Sequence, residues 1–82
     1  MYEFYKIKHP TEELYSSGLK YGSVQTTKKG KTWNALGHIK SHLIQVERHD
    51  PWSLKDFYNN WVVIKITENG VETLGTIKEF KL

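Results

Sequence analysis

Apolar side chains at Trp33, Leu36, Ile39 and Leu43 are spaced three and four apart, which aligns them along one side of an α-helix. The spacing predicts one long helix over 31–46, with Thr32 or Asn34 as N-cap and Gly30 allowing the turn before it. Gly37 falls inside that span, where glycine costs roughly 1 kcal/mol relative to alanine. An aromatic ring packed close, from Trp52 or Trp61, would account for it.

On either side of the helix the pattern turns to β-branched and aromatic residues. Residues 2–8 alternate, with Tyr2, Phe4 and Lys6 on one side and Glu3, Tyr5 and Ile7 on the other, a strand ended by His9-Pro10. Thr11-Glu12-Glu13-Leu14 reads as a turn or a single helical turn capped by Thr11. Residues 15–27 read as a loose hairpin or an irregular loop with one strand at Val24–Thr27. Beyond the helix, Ser53 caps a short helical turn through Leu54, Phe57 and Tyr58. The strongest strand is Trp61–Thr67, and Asn69-Gly70 turns it into a partner running from Val71 to about Phe80. With a two-residue loop, Ile66 faces Thr73, Ile64 faces Gly75 and Val62 faces Ile77, and these six lie beneath the helix. A bulged loop led by Glu68 would swap the assignments on the second strand.

These elements define one α+β domain over residues 1–82. A small antiparallel sheet of three to four strands, closed by the C-terminal hairpin, packs against one main α-helix. Trp33, Leu36, Ile39, Leu43, Val62, Ile64, Ile66 and Ile77 are expected to supply its core. A chain of 82 residues buries only roughly two-thirds of its unfolded surface, which leaves little room for a deep catalytic cleft. Cysteine is absent, so neither a disulfide framework nor a thiolate metal site supports the fold, and a reducing cytoplasm is the expected location. No long apolar run and no basic-then-apolar leader is present, so no membrane association is expected.

Charge changes the picture by its placement. The net charge of +3 is modest, yet residues 15–46 contain no Asp or Glu while Lys20, Lys28, Lys29, Lys31 and Lys40 all fall there. That segregation predicts one positive face, suited to an acidic protein surface or to phosphates; the alternative is a lysine face that only solubilises. His38 and His42 are four apart and share a helical face, but without a following glutamate or a cysteine they read as structural or surface residues rather than metal ligands. Ser41 has no orienting acid, Glu12-Glu13 reads as a solvent-facing pair, and Asp50 and Asp56 as turn and cap residues. Lys29-Gly30-Lys31-Thr32 carries only the tail of a phosphate-loop pattern, with Gln25 where the earlier glycine belongs. No catalytic residue, metal or cofactor is therefore expected.

One resemblance is carried by Lys6-Ile7-Lys8, Glu13-Leu14-Tyr15-Ser16-Ser17-Gly18, the Lys28-Lys29-Gly30-Lys31-Thr32-Trp33 turn and Leu36-Gly37-His38-Ile39-Lys40-Ser41-His42-Leu43. In that order they resemble small uncharacterised accessory proteins of tailed bacteriophages, in which a lysine-glycine-lysine turn precedes an aromatic residue and a short amphipathic helix. The likeness covers about the first half of the chain. It implies a protein made in an infected bacterium that binds a host protein and inhibits or redirects it, and it implies no catalytic residues. The residues themselves offer two binding modes. In the favoured one, Tyr15, Leu19 and Tyr21 with Lys28, Lys29, Lys31 and Lys40 form aromatic anchors and a basic rim for an acidic host protein. In the other, the lysines contact the phosphates of a nucleic acid while Tyr15 or Tyr21 stacks on bases; Arg48 being the sole arginine counts against it.

Overall fold

The computed structural model describes residues 2–80, so the single domain expected over 1–82 includes three residues outside that range. Five strands form one antiparallel sheet: β1 (Glu3–Lys8), β2 (Tyr15–Lys20), β3 (Ser23–Thr27), β4 (Val62–Thr67) and β5 (Gly70–Thr76), in the order β3-β2-β1-β4-β5. Three helices, α1 (Leu36–His49), α2 (Pro51–Asp56) and α3 (Ile77–Phe80), and a 3₁₀ turn at Tyr58–Asn60 contribute to one core. The α+β class and the C-terminal hairpin are as the pattern predicts, with five strands rather than three to four.

The main helix begins at Leu36, not at Lys31, and the reason is a competing partner for the backbone. Trp33 donates its N–H to Tyr5 O at 2.9 Å and accepts from Tyr5 N at 2.8 Å, while Lys31 N donates to Ser16 O at 2.9 Å. The strands β1 and β2 pair only at Lys8 and Tyr15, and residues 30–33 fill the wedge that opens between them. Neither Thr32 nor Asn34 is the cap. Ala35 holds that place in extended geometry without a side-chain bond. Gly30 is required here: φ is +73°, and a Cβ would overlap that of Tyr15 and crowd Ser16 O at 3.2 Å. Gly37, by contrast, has no neighbour within 4 Å, so no ring explains it; Trp52 is exposed and Trp61 lies in the core.

Residues 15–27 form a true two-stranded hairpin. Tyr21 (φ 55°) and Gly22 (φ 75°) are both left-handed, the geometry that matches strand twist in a two-residue turn. His9, not Thr11, caps the preceding turn: its Nδ1 accepts from Thr11 N at 3.1 Å and Glu12 N at 3.0 Å. Likewise Asp50, not Ser53, caps α2, with Pro51 at the first helical position. The same carboxylate accepts from Val24 N at 3.0 Å, tying the outer edge of β3 to the α1–α2 junction. These bonds, Ser53 first, hold the Asp50 carboxyl below its usual range.

The C-terminal hairpin turns one residue earlier than expected, and its face is the reverse of the expected one. Ile66 pairs with Val71 and Ile64 with Thr73, a bulge follows, and Val62 pairs with Thr76. Cross-strand partners share a face. Tyr5, Ile7 and Val63 point toward Ile39, Leu43 and Val46 of α1, whereas Val62, Ile64 and Ile66 lie on the side away from the helices. Of the expected core, Trp33, Ile39, Leu43 and Ile77 are buried in it and Leu36 packs against it; Ile64 is buried as expected, at 5 % exposure, but on the other face of the sheet. Strand β5 stops at Thr76 because Thr76 and Glu79 make a reciprocal cap: Glu79 N donates to Thr76 Oγ1 at 3.3 Å and Thr76 N to Glu79 Oε1 at 3.2 Å.

Two glycine substitutions should separate in sign. Gly30→Ala is expected to cost several kcal/mol, while Gly37→Ala should stabilise by up to about 1 kcal/mol, both read by thermal denaturation.

Candidate functional site

Leu19 at the end of β2, the Lys31–Asn34 segment and one flank of α1 enclose a groove of about 510 Å³. Its floor is apolar: Leu19 and Trp33 pack against the core. Lys31 Nζ sits 5.3 Å from the centre of the Trp33 ring, a placement that holds the ammonium at the rim. From α1 come His38, Ser41, His42 and Gln45, all on one flank. Every lining residue comes from the acid-free stretch 15–46, so among the described residues no carboxylate faces the groove.

Beneath the groove runs a buried polar chain. Ser16 Oγ accepts from Tyr58 Oη at 2.7 Å and from Gly18 N at 3.3 Å, and Tyr58 Oη lies 2.8 Å from His42 Nε2. With the Tyr58 proton given to Ser16, His42 donates from Nε2 and keeps its lone pair on Nδ1; with the sense of the chain reversed, His42 accepts at Nε2. Burial, with Lys31 nearby, lowers the His42 pKa to about 4, and burial raises that of Tyr58. The imidazole is therefore neutral near pH 7, its ring tilted against Trp33 with centroids 5.1 Å apart. Ser16 and Tyr58 of this polar chain are fully buried, so neither of these two hydroxyls is open to solvent. Its chemistry is positional: it pins β2, the 3₁₀ turn and α1 to one another.

The seven residues marked from the sequence do not form one patch. Leu19 and Lys31 meet in the groove. Tyr15 lies on the opposite face of the sheet with Lys6, whose ammonium sits 4.9 Å from the Tyr15 ring centre and donates to Lys29 O at 2.7 Å. Tyr21 is at the hairpin tip, 92 % exposed, and Lys20 covers its ring. Lys28 and Lys29 are exposed on the turn. Lys40 is on the other flank of α1, over Phe80, well away from Lys31. Trp33 and His42 are the groove residues that the sequence placed elsewhere, as helical core and as a structural or surface histidine. The i, i+4 spacing of His38 and His42 marks a shared face correctly, and nothing in it marks the Tyr58 partner.

Among the described residues no three His, Asp or Glu side chains gather as a metal site, and no helix is long and apolar enough to cross a membrane. No protein-family model, curated protein or solved structure matches the chain.

The His42 ring sets a pH dependence whose sign is fixed. Its folded pKa of about 4 lies below the ordinary 6.5, so between those values the unfolded chain binds more protons. Its contribution to stability is complete above about pH 6.5, shrinks as pH falls toward about 4, and amounts to a few kcal/mol at most. Urea denaturation at about pH 7.5 and about pH 4.5 should show this loss, and His42→Gln should flatten it. Tyr58→Phe, which strands two buried partners, should cost about 1–3 kcal/mol at neutral pH.

Proposed function

We propose that this chain is a non-enzymatic accessory protein of a tailed bacteriophage that docks on an acidic surface of a host protein in the bacterial cytoplasm and thereby inhibits or redirects it. The phage setting rests on the resemblance of residues 6–43 described above. The binding mode rests on one observation: a groove lined wholly from the acid-free stretch, with an apolar floor at Leu19 and Trp33 and an ammonium at its rim. An apolar floor with a charged rim is the anatomy of a protein contact, and the absence of facing carboxylates sets the sign of the partner. Tyr21 extends the same hairpin beyond the groove and is 92 % exposed, which leaves its ring free to meet a partner.

The alternative, phosphates held jointly by Lys28, Lys29, Lys31 and Lys40, draws less support because Lys31 and Lys40 stand on opposite flanks of α1. The test is affinity capture from a bacterial lysate with the wild-type chain and with Lys31→Glu and Leu19→Asp. A captured protein that survives nuclease treatment, is lost with both variants and is acidic at its contact surface supports the reading. Capture indifferent to both variants, or abolished by nuclease, overturns it. Lys31 is exposed, so Lys31→Glu should leave the melting temperature within a degree or two of wild type.

A further inference from the structure

Among the described residues the helices all pack on one side of the sheet, which leaves no helix over the other side, bordered by the Lys29–Gly30 turn against Tyr15 and Lys6. An antiparallel sheet open on one side is ordinarily polar there. Here the positions of β1, β4 and β5 that face this side are Phe4, Lys6, Lys8, Val62, Ile64, Ile66, Val71, Thr73 and Thr76; Ile64 is buried among its neighbours, and none is a carboxylate. Glu3, Lys65 and Glu72, which pair across the same strands, point to the helix side. Tyr2 stacks on Phe4 with centroids 5.5 Å apart and is 51 % exposed, while its backbone N–H donates to Glu68 Oε2 at 3.0 Å. Tyr15 joins the same side through Lys6, whose reach to Lys29 O brings the basic turn to its border.

The charge on this face selects its occupant. Lys6 and Lys8 stand on β1, the central strand, so a second copy laid back to back by a two-fold axis would set the lysines of both chains against each other. The occupant must instead be anionic and must offer flat aromatic area. Spacing agrees: side chains two residues apart on a strand repeat every ~6.6 Å, the separation of neighbouring phosphates in an extended single strand.

We propose that the open face of the sheet binds single-stranded nucleic acid, with bases stacked on the Tyr2–Phe4 pair and successive phosphates on Lys6, Lys8 and Lys29. The site is separate from the groove and does not depend on the protein-docking reading. Aromatic platforms beside a basic track are the usual means of holding such strands without sequence preference. Lys6 keeps two of its three ammonium protons beyond its bond to Lys29 O, and the resting contact of Lys8 is weak enough to be exchanged for phosphate. Lys8 meets Glu13 at 3.9 Å, and that carboxylate is 85 % exposed. Glu13 therefore competes with the strand for Lys8.

The test is fluorescence anisotropy of labelled thymidine and uridine oligomers of about ten nucleotides with the whole chain, which also separates DNA from RNA. Three phosphate contacts predict a log–log salt slope of about −2, or about 20-fold weaker binding on going from about 50 to about 200 mM salt. The double variant Lys6→Ala/Lys8→Ala should reduce the slope to about −0.7 and weaken binding at least tenfold at low salt, with Lys55→Ala on the opposite side as an unchanged control. Tyr2→Ala should weaken binding while Tyr2→Phe restores it, and Glu13→Gln should tighten it; melting curves confirm that each variant is folded. No binding at low salt, indifference to the double lysine variant, or equal displacement by polyglutamate, which would mark an acidic protein as the occupant, each overturns the proposal.

Discussion

The backbone bonds between Tyr5 and Trp33 are the constraint on which the other features depend. Without them, β1 and β2 would diverge from their single pairing at Lys8 and Tyr15, leaving buried peptide groups without partners. With them, the segment ahead of α1 acts as a short piece of sheet, and its side chains alternate accordingly. Trp33 goes into the core, Lys31 rests on the Trp33 ring at the groove rim, and the Lys29 carbonyl turns toward Lys6 on the far side. The position of the helix start follows from this competition, since a peptide group engaged with a neighbouring strand cannot also belong to a helical turn.

Polar groups fix the arrangement where apolar packing alone would leave it adjustable. Ser16, Tyr58 and His42 connect three elements through bonds of 2.7 and 2.8 Å, and Asp50 joins the edge of β3 to two helices at once. Each such bond contributes only about 1 kcal/mol net, but losing one partner strands the other in a dry interior. Buried chains of this kind therefore specify geometry more than they add stability, and the groove takes its shape from them.

How much of this was legible follows the physical range of each signal. The stripe Leu36, Ile39, Leu43 is local and period-bound, so the helix and its buried side could be read directly. Its start could not, because Tyr5 lies far away in the chain. In Trp61-Val62-Val63-Ile64 both alternating sets are apolar, which removes the parity signal, and the choice fell to the buried partners Tyr5 and Ile7 on β1. The Ser-Ser-Gly composition of β2 conceals a strand whose pairing is imposed by the Tyr21-Gly22 turn. At the site, Leu19 and Lys31 came together as the acid-free stretch suggested, while Lys40 was carried off by helix rotation. His42 took its place through Tyr58, sixteen residues downstream.

The alternation along β2 has one more consequence. Tyr15 and Ser16 are consecutive, yet the first ring looks out from the open side and the second hydroxyl is sealed under the groove. The sheet is thus a partition only one backbone thick, with a surface of positive character on each side and no hinge between them. Two bodies seated on it would be held at a set distance and attitude, as by a rigid bracket, and neither could turn without carrying the other.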